Sequence, residues 1–280
     1  MCEGTLLVQL FLLVCSATLW FFLLAWFGGK IVRPFITKQP WGDQWIEINQ
    51  KNAKELGVDF DKETTLVAAC NLVAVLLQHS LGGALCVPAL LGWFSPEVRT
   101  ALACHGALCE AGWELQDGLE RAYHVLFGTE EKKKENPTMV PNVIMGVHHA
   151  MGLTMVVPMN IFFPSLYWYH EGIFLLQFAA FFALLIQFYS FTLDVGTQSG
   201  LLKMQLSVVA VFSLMIYSRA LRYGFVVYKV VAFLYAEGGT VMFVGSCVTA
   251  LLMSLLNALL VCDSAGKLVK FLPMSVKKEL

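Results

Sequence analysis

The sequence predicts an all-α polytopic membrane bundle of seven transmembrane helices, and three observations carry that expectation. Of the 280 residues 58% are hydrophobic and 14% charged, where a soluble domain carries about 25% charged. Mean hydropathy is +0.67, so the excess apolar surface needs lipid to face. Seven apolar stretches are each long enough to cross the hydrocarbon, which takes about 20 residues rising 1.5 Å each. A net charge of −1, with basic residues at segment ends, excludes a nucleic-acid footprint.

The first segment, about Thr5 to Gly28, lacks a basic leading region and a small-residue cleavage site, so a retained anchor is expected. Lys30 to Glu63 mixes six basic with six acidic residues around Trp41, Trp45, Ile46, Ile48 and Leu56. It reads as a cytosolic interfacial helix followed by a loop, or as a plain solvated linker. The second segment spans about Thr65 to Phe94 with a kink at Pro88, and the third, about Val98 to Phe127, is the least hydrophobic. The fourth covers about Asn142 to Phe163 with a kink near Pro158, and the fifth about Gly172 to Leu193. Leu201 to Ala236 is long for one crossing and short for two; one long, bent helix is expected, its Arg219, Arg222 and Lys229 reaching an interface. The seventh runs about Thr240 to Cys262.

The eight cysteines form no CxxC, and they are expected to act as small buried hydrophobes. Loop charge sets the orientation. With the N-terminus luminal and the C-terminus cytosolic, the cytosolic pieces hold Lys30, Arg33, Lys38, Lys132 to Lys134, Lys203, Lys267, Lys270, Lys277 and Lys278, while the opposite turns carry no basic residue. The chain ends with Lys277 and Lys278 at the fourth and third positions from its end, the dilysine retrieval pattern of ER membrane proteins. A basic tail without an address is the alternative.

Chemistry concentrates in segments three and four. Glu110, Glu114, Asp117, Arg121 and His124 recur at intervals of four, three, four and three, so one helix face carries all five. Facing lipid, each charge would cost about 3 kcal/mol. The stripe therefore lines a functional chamber or forms a self-satisfied ladder. His148 and His149 sit in an apolar segment with side chains about 100° apart around the helix. One metal is not expected to take both, and no metal is assigned. One imidazole faces the chamber while the other is held by a neighbour, or both act as polar glue between helices. His79 and His105 belong to the same interior or are packing histidines. Six histidines without box spacing exclude a membrane desaturase, and GxSxG, HExxH and P-loop motifs are absent.

Gly112-Trp113-Glu114-Leu115-Gln116-Asp117, a polar loop and Val147-His148-His149 together resemble the TLC domain family, which includes TRAM, ceramide-synthase and ceroid-lipofuscinosis ER proteins. Asp194-Val195-Gly196-Thr197 resembles that family's acidic element after its fifth helix. Phe212 to Arg219 with Arg222 resembles its aromatic-x-x-Arg sixth helix, and His79-Ser80 stands where its second helix often has a histidine. The resemblance covers about residues 65 to 262. It implies a six-helix barrel-like bundle around a lipid chamber in the ER membrane. The implied organisation is an anchor over 1–29, a cytosolic interfacial loop over 30–64, the TLC domain over 65–262 and a cytosolic tail over 263–280.

The charged stripe and the resemblance together give the candidate roles. His148, His149 and Asp117 are the catalytic candidates; His79, Glu110, Glu114, Arg121, His124, Asp194 and Arg219 are the ligand-binding ones. In the ceramide-synthase branch the paired histidines serve acyl transfer, supported by a His-Asp-x-x-Asp element. Here that region reads His170-Glu171-Gly172-Ile173-Phe174, without either aspartate. The expected function is to bind, sense or help metabolise lipid, or to escort ER cargo, with no cofactor and with lipid and a retrieval coat as partners. The second expectation is acyl transfer with acyl-CoA as co-substrate. The third is a transporter or receptor unrelated to lipid.

Overall fold

The computed structural model describes residues 3–55, 59–128 and 139–275, and these are helical throughout apart from short turns. Helix α1 is Glu3–Leu23; it continues through a π-helical stretch, Leu24–Val32, into α2 (Arg33–Lys38). The first helical run thus passes Gly28, where the apolar pattern ends, because Lys30 and Arg33 do not break a helix. In the widened turn the Gly28 carbonyl accepts from the Arg33 N–H and also from Cys70 Sγ at 3.3 Å. Gln39 stands before Pro40, is forced into extended backbone at φ −83° and ψ 145°, and ends the run.

The segment over 30–64 contains a helix, α3 (Gly42–Glu55), whose inner face buries Ile46, Asn49, Asn52 and Ala53. Helix α4 (Lys62–Leu91) starts where the Asp61 carboxylate caps the Thr64 N–H at 2.7 Å, and stops at left-handed Gly92. Pro96 opens α5 (Pro96–Phe127), and α6 is Met139–Phe162. Helix α7 is Tyr167–Ser190. Helix α8 (Gln198–Met215), a π-helical turn at Ile216–Leu221 and α9 (Arg222–Glu237) form one continuous run. Helix α10 (Gly239–Phe271) extends nine residues past Cys262. Its last carbonyls are met by Gln205 Nε2, which donates to Phe271, Leu272 and Met274 at 3.1 to 3.2 Å.

Among the described residues five runs are long and apolar enough to cross a membrane: Thr5–Lys38, Lys62–Leu91, Tyr167–Ser190, Gln198–Glu237 and Gly239–Phe271. Helices α5 and α6 are not among them. The acidic stripe lowers the hydropathy of α5.

Packing closes α4, α5, α6, α10, the α8–α9 run and α7 into a ring, each touching the next and α7 returning to α4. Helix α1 lies against α5 and α6. Small residues permit the close crossings. A Cβ on Gly106 would stand 2.6 Å from the Gly82 carbonyl oxygen, and one on Gly112 would collide with Ser16. Trp20 Nε1 donates to the Cys109 carbonyl at 3.1 Å, fixing α1 to α5. Asn160 ties four helices at one end of the bundle: its amide donates to Gln9 and to the Cys104 carbonyl, both at 3.2 Å, and its Oδ1 accepts from Tyr169 at 3.0 Å. Seven described cysteines are free; Cys86 and Cys104 are buried, whereas Cys15 and Cys262 are exposed rather than buried as expected.

Candidate functional site

The ring encloses a cavity of about 470 Å³, within the roughly 300–1,000 Å³ range of small-molecule sites. At one end lie Met159, Trp168 and Tyr169, near the α6–α7 turn; at the other lie Gln187, Asp263 and Lys267. Nineteen residues of α7 separate Trp168 from Gln187, a rise of about 28 Å. The wall is mainly apolar, with Met145, Met151, Met155, Met159, Met215 and Met253 among its residues. Methionine's unbranched, polarizable side chain adapts to flexible apolar ligands.

Into this wall α4, α5 and α6 set a polar cluster of His79, Glu110, Glu114 and His148. Glu110 accepts from Gln78 Nε2 at 2.6 Å, and its carboxylate lies 3.3 Å from His79 Nδ1. Glu114 is 2% exposed. Its Oε1 is 3.9 Å from His148 Nε2, while its Oε2 has no hydrogen-bond partner. Gly152 on α6 makes room for that carboxylate, since a Cβ there would collide with it. His148 also meets Met253 Sδ at 3.4 Å through Nδ1. Glu110, Glu114 and His148 each offer a ligand atom within 4.8 Å of the others.

His149 points elsewhere. Its Nδ1 is 3.3 Å from Asp117 Oδ2, which also accepts from Arg121 Nε at 2.5 Å. The stripe therefore divides: Glu110 and Glu114 face the cavity, while Asp117 and Arg121 form a ladder pair that holds His149. The side chain of His124 lies outside the described residues, as do Lys132 to Lys134 and the tail lysines Lys277 and Lys278.

Arg219 enters the cavity wall from the π-helical turn. It donates to the Leu176 carbonyl at 2.6 Å and to Asn257 Oδ1 at 3.4 Å, and its Nε has no partner. Helical widening of this kind is frequent where a side chain must be re-aimed at a site.

Asp194 is not brought to the cluster. It sits in the α7–α8 turn, where Oδ1 accepts from the Gly196 N–H at 3.0 Å and from Lys51 Nζ at 3.2 Å. Those two donors, the N–H first, hold its carboxyl below the ordinary 3.8. His105 is exposed and bonds the Ala101 carbonyl at 2.7 Å, and His170 bonds that of Pro164 at 2.7 Å. Glu171 pairs with Arg222 at 2.5 Å.

Four contributors escape a search for ionisable groups: Gln78, Gln177, Asn257 and Gly152. Gln177 crosses the bundle to donate to the Gly106 carbonyl at 3.1 Å. The available signal is an amide side chain inside an apolar segment, which needs a partner in a neighbouring helix. No protein-family model, no curated protein and no solved structure matches this chain.

Proposed function

We propose that the chain is a seven-span ER membrane protein of the TLC type whose interior chamber binds a lipid acyl chain. The observation that carries this reading is the cavity: long, bounded mainly by apolar and methionine side chains, with a polar cluster in its wall and Asp263 and Lys267 at one end, it suits an amphiphile with a small headgroup. The ring of six helices with α1 outside supports it, because the ring surrounds the cavity and its polar cluster. Spans α5 and α6 complete the seven: Glu110, Glu114 and Asp117 turn toward His79, His148 and His149 rather than outward, which lowers the cost of placing them in lipid. The dilysine tail supports ER residence, with a retrieval coat as its reader.

A second reading, acyl transfer, is favoured by one observation. His148 borders the cavity with an imidazole nitrogen facing Glu114, the placement a base or transient acyl carrier needs. Acyl-CoA would be the donor, and His149, oriented by Asp117, would stand behind His148.

Three results separate the readings. His148→Ala that leaves protein level normal and depletes one lipid species supports transfer. An unchanged lipid profile, with lipid still retained by the purified chain, supports binding alone. Missorted cargo with neither effect supports an escort and contradicts both.

A further inference from the structure

We propose that Glu110, Glu114 and His148, with His79 at their edge, form a divalent transition-metal site, and that zinc is the ion it suits. Glu110 and Glu114 are one helical turn apart on α5, so both carboxylates leave the same face. His148 approaches from α6, and the three ligand atoms lie within 4.8 Å of one another. His79 approaches from α4, 3.3 Å from Glu110 Oε2. Closing these donors onto zinc, at about 2.0–2.2 Å each, takes side-chain movement of about an ångström.

An independent observation points to a ligand. Glu114 lines the cavity, is almost fully buried, and its Oε2 has no hydrogen-bond partner. Two neighbouring carboxylates repel unless a proton or a cation sits between them. Arg219 lines the same cavity, but its terminal nitrogens go to Leu176 and Asn257, not to Glu114.

The surroundings fit the outer support of a metal centre. Gln78 orients Glu110 at 2.6 Å, and Met253 contacts the far nitrogen of His148. Mixed imidazole and carboxylate donors suit zinc, whereas magnesium and calcium favour oxygen alone. With its open side on the cavity the site is of the class that keeps one position for water or substrate. The histidine pair still does not chelate: His149 turns away to Asp117, and His79 stands beside Glu110 outside the three ligands.

The test uses the full chain in detergent, stripped with a chelator, incubated with zinc chloride alone and passed through gel filtration before its metal is counted. One zinc per wild-type chain is expected, and the same for the surface control His105→Gln. Glu114→Gln and His148→Gln are expected to retain less than a tenth as much. Cobalt in place of zinc should give wild type the visible absorption of a low-symmetry nitrogen-oxygen site, a readout that needs no variant to fold. Wild type without zinc or cobalt absorption, or zinc retained equally by Glu114→Gln, overturns the site and leaves a shared proton in its place. This outcome is separable from lipid binding: zinc without lipid sustains the site and contradicts the lipid reading, and lipid without zinc does the reverse.

Discussion

Glu114 and Gly152 illustrate how closely the cluster is fitted. The carboxylate occupies the volume that a side chain at 152 would need, so Gly152→Ala must displace Glu114 from His148. The expected cost is about 1–3 kcal/mol, as for other overpacked interiors, read as a lowered melting temperature of the purified chain. A melting temperature equal to wild type would mean that Glu114 moves freely and is not held for a purpose. The ionisable members of the cluster were legible in the sequence, because a charge in an apolar stretch is expensive and so conspicuous. Gln78 and Asn257 were not, since a buried amide costs less and appears in many packing roles. The opposite facing of His148 and His149 follows from helical geometry alone; which of them meets the cavity required the neighbouring helices.

Among the helices, α5 carries both the carboxylates and the closest crossing. Gly106 touches the backbone of α4, whereas Gly118 on the same helix has nothing within 4 Å of the position a Cβ would take. Gly106→Val should therefore destabilise by about 1–3 kcal/mol. Gly118→Ala should stabilise by up to about 1 kcal/mol, through helix propensity. Thermal melting in one detergent compares the two, and equal shifts would contradict the crossing.

The α7–α8 turn makes a different prediction. Asp194 is held ionised by the Gly196 N–H and Lys51, so its native value lies below the 3.8 of the unfolded chain. Its contribution is present above that value and disappears as pH falls through the lowered native one. The carboxylate is 43% exposed, so Asp194→Asn should cost under about 1 kcal/mol at pH 7. The difference from wild type in melting temperature should shrink as pH falls below 3.8 and vanish once pH is below the lowered native value; a constant difference across that range would contradict the assignment. Helix ends were the least legible part of the sequence. Lys30, Arg33, Lys267 and Lys270 end the apolar pattern without ending the helices, because a basic residue leaves hydrocarbon but not helical geometry. The π-helical turn at Arg219 has no sequence signal comparable to the glycine or proline that marks a turn.

For the molecule as a whole, the long stretch from Gln198 to Glu237 decides topology. One continuous helix there puts the Asp194 turn and the Gly238 turn on opposite sides of a membrane, and single cysteines placed in each should react with an impermeant maleimide from opposite faces of sealed microsomes. Labelling from one face would contradict the seven-span arrangement. The apolar pattern foretold the helices and their order, since hydrophobic runs reflect the solvent directly. It did not foretell the cavity, whose lining combines faces from helices far apart in sequence. The central claim is that this cavity holds lipid, and native mass spectrometry of the gently purified chain tests it most directly. An added mass that dissociates as one lipid class, and that falls when Met215 and Met253 are both replaced by Trp to fill the cavity, is the predicted result. A bare chain mass under the same conditions, or an adduct unchanged by filling the cavity, would contradict it.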